Sequence, residues 1–251
     1  ILSGFGGVIS IYGIFNGLRI PEIITQKIKF SNLPDDLKNF KIAHITDLHV
    51  GSQIKAEMIN QVVDKINSFK PDIVVFTGDA ADGSVENYWK EMDPLKNIKS
   101  KYGKYFVTGN HEYYSDLKGW LNKIQNIGFK ILINESKQLK INNSTLLITG
   151  IPDRTAKYYL KSHKTNMEKA IKGYENSNFK LLLAHQPKDI DHAEKFGYDL
   201  QLSGHTHGGQ YIPFSFLVRL ANPFLKGLHQ RNKTKIYLSL IHIWRCRRDY
   251  R

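Results

Sequence analysis

Acidic, amide and imidazole side chains recur along this chain, and each follows a short apolar run. Seven of them stand in the motifs TDLH, TGDA, GNHE, AHQP and GHTHGG: Asp47, His49, Asp79, Asn110, His185, His205 and His207. Carboxylates, neutral imidazoles and a carboxamide supply the oxygen and nitrogen atoms that divalent transition metals bind. Two such ions held close together can clamp a phosphoryl group. The set therefore predicts a two-metal site that acts on phosphate esters.

Each motif has a simpler explanation when it is taken alone. Asp79 is typical of a turn after glycine, Asn110 of a left-handed loop position, and His185 of a helix start before Gln-Pro. The GHTHGG motif is harder to explain by local structure, because its two histidines are flanked by three glycines. The presence of all five motifs in this order, each after a strand-like run, favours the metal site.

Strand and helix patterns alternate along the chain and place these residues. The predicted strands are residues 40–46, 72–78, 105–109, 144–150, 179–185 and 198–203. The predicted helices are residues 55–70, 116–127, 167–175 and 189–196. In open α/β sheets, ligands bind at the carboxyl ends of the strands. We therefore expect the scattered side chains to converge at one edge of a single domain.

Taken together, the five motifs resemble those of the calcineurin-like metallophosphoesterases, whose pattern is DxH, GD, GNH, H and GHxH. The resemblance covers residues 38–240. It implies an α/β fold, namely a four-layered sandwich of two mixed β-sheets flanked by helices. It also implies a dinuclear-metal-dependent enzyme with Mn, Fe, Zn, Co or Ni as the candidate ions.

The resemblance further implies a role for each side chain. The ligands implied for one metal are Asp47, His49, Asp79 and His207. Those implied for the other are Asp79, Asn110, His185 and His205, so that Asp79 bridges the pair. His111 would bind no metal and would instead stabilise the phosphoryl oxygens or protonate the leaving alkoxide. Glu112, Tyr113 and Tyr114 are interpreted either as lining the pocket or as surface packing.

The first eighteen residues carry no charge until Arg19. A membrane-spanning helix needs about 20 apolar residues, so we predict a membrane anchor, shortened, over residues 1–20. A signal-peptide remnant and a buried N-terminal helix are the alternatives. Basic residues just after this segment, Arg19, Lys27 and Lys29, favour a cytoplasmic catalytic domain.

The apolar segment, residues 19–22 (RIPE), TDLHVG and GHTHGGQ together resemble the bacterial, membrane-anchored YaeI-like phosphodiesterases. This narrower resemblance implies hydrolysis of a phosphodiester or pyrophosphate bond in a lipid-linked or membrane-adjacent substrate, such as UDP-2,3-diacylglucosamine. The arginine-rich residues 241–251 depart from the branch, and we interpret them as an atypical, non-native tail.

Composition limits the remaining choices. The only cysteine is Cys246, which excludes a disulfide framework and a cysteine-based zinc site. The net charge of +13 fits either a lysine-rich solvated surface or attraction to anionic lipid, nucleic acid or phosphate esters. A nuclease of the same superfamily is one rival function, although the sequence shows no basic-aromatic stripe that would favour nucleic acid as a partner. A non-catalytic scaffold with the same fold is the other.

Overall fold

A computed structural model describes residues 23–209, 222 and 224–239 of the chain. The predicted anchor over residues 1–20 and the atypical tail over residues 241–251 lie outside these ranges. Within them, no helix is both long and apolar enough to cross a membrane.

Four strands form the first sheet, in the order β1-β2-β3-β4. They are β1 (Ile42–Ile45), β2 (Ile73–Phe76), β3 (Lys104–Phe106) and β4 (Lys130–Ile131). Every pairing between them is parallel. All four residues of β2 are fully buried, as expected for a parallel strand that is covered on both faces.

Six strands form the second sheet, in the order β5-β6-β7-β8-β10-β9. They are β5 (Glu135–Ile141), β6 (Ser144–Gly150), β7 (Phe179–Leu183), β8 (Leu200–Ser203), β9 (Gly227–Arg231) and β10 (Thr234–Leu238). The four central strands run parallel, whereas β5 and β9 pair antiparallel at the two edges.

Helices cover the outer faces of both sheets. Those in the described part of the chain are α1 (Ala56–Phe69), α2 (Val85–Tyr88), α3 (Asn110–Tyr114), α4 (Leu117–Asn126), α5 (Ala156–Tyr159), α6 (Met167–Ile171) and α7 (Ile190–Lys195). Short 3-10 turns occupy Asp35–Leu37, Asp93–Asn97, Lys161–His163, Pro187–Asp189 and His207–Gly209. Helix α4 begins where the Asp116 side chain accepts a hydrogen bond from the Gly119 backbone N–H, an N-cap.

Three apolar clusters separate these layers. Val74 and Phe76 of β2 pack against α1 and α4 on one side of the first sheet. The alternate residues Ile73 and Val75 point the other way and pack against the second sheet. The outer face of the second sheet packs on α6 and α7. The order is helix, sheet, sheet, helix, which confirms the predicted α/β fold with two sheets flanked by helices.

The structure differs from the sequence-based expectation in detail. In the described residues the first sheet is parallel throughout and only the second is mixed. Strand β5 was not predicted, because exposed polar residues alternate with its partly or fully buried ones and the strand contains no apolar run. Between β2 and β3, where no helix was predicted, the chain forms short α2 and a 3-10 turn. Helix α6 ends early, before Gly173 with φ 85°.

The core between the two sheets should dominate stability. Leu181 of β7 is fully buried there, so Leu181→Ala should lower the free energy of unfolding by about 2–5 kcal/mol. Leu228→Ala, at a partly exposed position of β9, should change it by less than about 0.5 kcal/mol. Urea denaturation of both variants tests this, and equal losses would contradict the assigned layers.

Candidate metal centre

All seven predicted ligand residues lie at the carboxyl ends of the parallel strands, where the two sheets meet. Asp47 follows β1, Asp79 follows β2, and Asn110 starts α3 just after β3. His185 follows β7, and His205 and His207 follow β8. The loops are hydrogen bonded to one another, since the Asp47 N–H donates to the Gly78 carbonyl at 3.0 Å. Each sheet therefore contributes part of one site.

The backbone at this edge is strained. Asp47, His49, Asp79, His205 and His207 have φ values of 52°, 46°, 53°, 73° and 47°. Side chains other than glycine rarely adopt this left-handed region. Such conformations persist only where surrounding structure enforces them, and they concentrate at functional sites.

One ligand cluster contains both carboxylates. One ligand atom from each of its four members lies within 4.8 Å of the others, and the members are Asp47, His49, Asp79 and His207. His49 Nε2 lies 3.8 Å from Asp79 Oδ2 and 3.3 Å from His207 Nε2. His207 Nε2 lies 3.5 Å from Asp47 Oδ1.

A second cluster shares the same carboxylate. Ligand atoms of Asp79, His185 and His205 lie within 4.8 Å of one another. His185 Nε2 is 3.1 Å from Asp79 Oδ2 and 3.2 Å from Asn110 Oδ1. Asn110 Oδ1 is also 3.1 Å from His205 Nδ1. The amide oxygen therefore completes a set of four donor residues.

The chemistry of these atoms fits divalent cations. Imidazole nitrogens of His185 and His205 approach to 3.2 Å, and at most one proton can lie between such a pair. His185 Nδ1 is 2.7 Å from the Thr77 carbonyl and must donate to it, which leaves Nε2 directed at the cluster. A backbone partner of this kind orients a metal-binding imidazole.

The charges in the cluster are interdependent. Burial opposes ionisation of Asp79, but adjacent His185 and His111 hold its pKa below the usual range. Burial likewise opposes the charge on His185, yet Asp79 raises the pKa of that imidazole well above its ordinary value. Burial and the His185 charge lower the pKa of His205 to about 4. A cation bound at Asp79 would displace the His185 proton, so binding and proton release are coupled.

His111 and the predicted ligand His49 are joined by Asp82, which the sequence analysis did not identify. Asp82 Oδ1 lies 2.6 Å from His111 Nδ1 and 2.9 Å from His49 Nδ1. This contact is the main reason that the pKa of His111 is raised. His111 Nε2 lies 4.0 Å from Asp79 Oδ2, beside the cluster and partly open to solvent. The sequence signal that could have identified Asp82 is its place as the second acidic residue of the GDAAD motif.

Glu112 is a structural support, not a surface or pocket-lining residue. Its carboxylate is fully buried and accepts hydrogen bonds from the backbone N–H groups of Gly109, Asp79 and Ala80 at 2.6, 3.1 and 2.7 Å. Burial, with a contribution from Asp79, raises the pKa of Glu112 to about 7. The carboxylate thus ties the loop after β2 to the start of α3.

Glycine is required where the second sheet approaches the first. A Cβ at Gly204 would overlap Thr46 Oγ1 and a carboxylate oxygen of Asp47. The same approach lets the His205 N–H donate to Asp47 Oδ1 at 3.0 Å. The glycine before the first histidine of GHTHGG is therefore needed for close packing.

Comparison with known proteins now identifies the class. The calcineurin-like phosphoesterase family matches residues 40–209, which include the whole first sheet, strands β5 to β8 of the second sheet and every residue of the two clusters. The chain belongs to the calcineurin-like phosphoesterase family. Its Asp and His clusters are candidate sites for divalent metals, as expected for a member of this family.

Relatives of this chain occur in bacteria and animals. It is 37% identical over 229 residues to an uncharacterized metallophosphoesterase of Helicobacter pylori strain J99, covering 90% of this chain and 60% of that protein. It is 32% identical over 240 residues to the transmembrane protein with metallophosphoesterase domain of Danio rerio, covering 92% and 55%. The chain thus spans little more than half the length of these relatives.

Solved structures agree on the fold. The NAD nucleotidase of Haemophilus influenzae superimposes with a TM-score of 0.50 at 15% identity, covering 80% of this chain and 50% of that one. At this identity the likeness concerns the fold alone.

Glu112→Gln should destabilise the two loops that the Glu112 carboxylate connects. The amide nitrogen cannot accept the backbone N–H groups, so a buried donor would be left unpaired, at a cost of about 1–3 kcal/mol in unfolding free energy. Exposed Glu86→Gln is the matched control. Chemical denaturation checks the prediction, and equal stability of the two variants would contradict the assigned clamp.

Proposed function

We propose that this metallophosphoesterase hydrolyses a phosphodiester or pyrophosphate bond with two divalent metal ions. The observation that carries the proposal is the Asp79 carboxylate, which belongs to two separate groups of ligand atoms, each within 4.8 Å. A single carboxylate shared by two imidazole-rich groups suits a metal pair better than one ion.

The proposed ligands follow the two clusters. One ion is assigned to Asp47, His49, Asp79 and His207. The other is assigned to Asp79, Asn110, His185 and His205. Bound ions supply Lewis acidity at the phosphoryl oxygens and a water molecule of lowered pKa. Nitrogen and oxygen ligands suit Mn, Fe, Zn, Co and Ni.

We assign His111 the role of the proton donor. Asp82 accepts a hydrogen bond from its Nδ1 and raises the pKa of the imidazole, which favours the protonated form that can donate a proton. Its Nε2 faces the site and is reachable from solvent. From there it can stabilise a phosphoryl oxygen or protonate the leaving alkoxide. Asp82 positions His111 and does not itself contact substrate.

The substrate is further proposed to be lipid-linked or membrane-adjacent, with UDP-2,3-diacylglucosamine as an example. Supports are the uncharged first eighteen residues of the sequence and the name of the Danio rerio relative, a transmembrane protein. A single N-terminal anchor, a cytoplasmic catalytic domain and membership of the bacterial YaeI-like branch belong to the same proposal.

Asp79→Ala should remove activity and metal together. Wild-type protein, stripped and reloaded with Mn²⁺, should hydrolyse bis(p-nitrophenyl) phosphate and retain about two metal equivalents per chain, as a two-metal site requires. Asp79→Ala should lose most of both, because each ion loses a shared ligand.

Asp64→Ala, at an exposed position on α1, is the control and should behave as wild type. Metal content by mass spectrometry and diester turnover are the measurements. Folded Asp79→Ala protein that retains both ions and full turnover would overturn the proposal.

His111→Asn should show the signature of a lost general acid. We expect kcat for a diester with an alkyl leaving group to fall by about 10²–10⁴-fold. Turnover of an aryl ester should fall less, because a stable phenolate needs little protonation. Equal losses of kcat for both leaving groups would contradict the role as general acid and favour stabilisation of the phosphoryl oxygens by His111.

A further inference from the structure

An exposed pair of tyrosine rings extends outward from His111. The Tyr114 ring centroid lies 5.6 Å from that of His111 and 5.6 Å from that of Tyr159. Tyr114 is 53% exposed and Tyr159 is 55% exposed. We call these two residues the tyrosine strip. It joins α3, which carries His111, to α5, which follows the second sheet's strand β6.

The strip rests on a fixed support. The Tyr113 ring is buried behind it, 6.0 Å from the Tyr159 centroid. The Tyr113 hydroxyl lies 3.1 Å from Thr108 Oγ1 and 2.7 Å from His163 Nδ1. Single exposed apolar residues are common on protein surfaces. Two adjoining aromatic faces held beside a reactive imidazole instead suggest a binding surface.

Positive charge lies along the same segment. Lys157 Nζ sits over the Tyr158 ring at 4.9 Å. The chain that follows Tyr159 lines a cleft of about 460 Å³ with Lys161, Lys164 and Lys169 against one acidic residue, Glu168. The segment that carries Tyr159 is therefore net positive, which suits a ligand with anionic groups as well as a flat apolar surface.

We propose that the tyrosine strip is a subsite for a flat ring carried on the phosphate ester, as in a nucleotide. This inference rests on the proposed function, because the ester itself must bind at the metal clusters. Aromatic rings pack well on tyrosine in offset or edge-to-face geometry, and base stacking on aromatic side chains tolerates different bases. An acyl chain could pack on the two tyrosine rings, but it carries no charge for the nearby lysines to bind. The sequence showed no basic-aromatic stripe because the two tyrosines lie on separate segments.

Two diesters that share a leaving group and differ in whether they carry a base measure the contribution of the base to binding. Thymidine 5′-(p-nitrophenyl phosphate) carries a base, and ethyl p-nitrophenyl phosphate does not. Tyr114→Leu and Tyr159→Leu in the full chain should each raise the KM ratio of the thymidine to the ethyl ester about tenfold, the size expected for one lost stacking contact. Tyr158→Leu removes a ring that is 77% exposed and is not part of the tyrosine strip, so it should leave the ratio unchanged.

Equilibrium binding gives a second readout that needs no turnover. Thymidine 5′-monophosphate, measured by calorimetry, should bind Tyr114→Leu about tenfold more weakly than wild type. If wild type cleaves neither ester yet shows this tyrosine-dependent binding, the proposed function fails and the subsite stands. If both esters are cleaved and neither tyrosine variant alters the KM ratio or the nucleotide affinity, the subsite is overturned and the function stands.

Membrane binding is the competing outcome. If the two strip variants weaken binding to phosphatidylglycerol vesicles and leave nucleotide affinity unchanged, the strip is a lipid-facing surface and the inference is overturned.

Discussion

The structure depends on how the charges of two buried carboxylates are balanced between its two sheets. Asp47 and Asp79 extend from the first sheet, where an isolated ionised carboxylate would be very unfavourable. Much of the compensation comes from the second sheet, through His185 at 3.1 Å from Asp79 and the His205 N–H at 3.0 Å from Asp47. The apolar layer between the sheets therefore fixes not only stability but also the spacing at which these groups meet.

That spacing is maintained by strained backbone and by residues that touch no ligand atom of the clusters directly. Left-handed conformations at Asp47, Asp79 and His205 aim their side chains inward. Glu112 accepts hydrogen bonds from the backbone of Asp79, after β2, and of Gly109, before α3. Gly204 allows the second sheet to approach the loop after β1. The clusters are thus assembled by the protein chain itself, and such preorganisation limits the rearrangement that metal binding requires.

The surroundings of the clusters are partly exposed. His111, Asp82 and the tyrosine strip extend outward from buried Asp79, so that the clusters border an aromatic and basic surface. Membership of the family indicates a phosphoesterase fold, whereas the organic part of any substrate would depend on side chains outside the motifs.

The sequence alone determined which residues meet and why. Polar side chains that follow successive parallel strands must emerge at one edge of the sheet. The spacing of apolar residues predicted the helices over residues 55–70 and 116–127. Only the tertiary structure decided the rest. Strand β5 carries no apolar run, so its pairing depends on β6. The roles of Asp82, Glu112 and Tyr114 depend on partners that other segments bring within contact distance. A local pattern such as the second acidic residue of GDAAD can mark a residue, but it does not identify the partner.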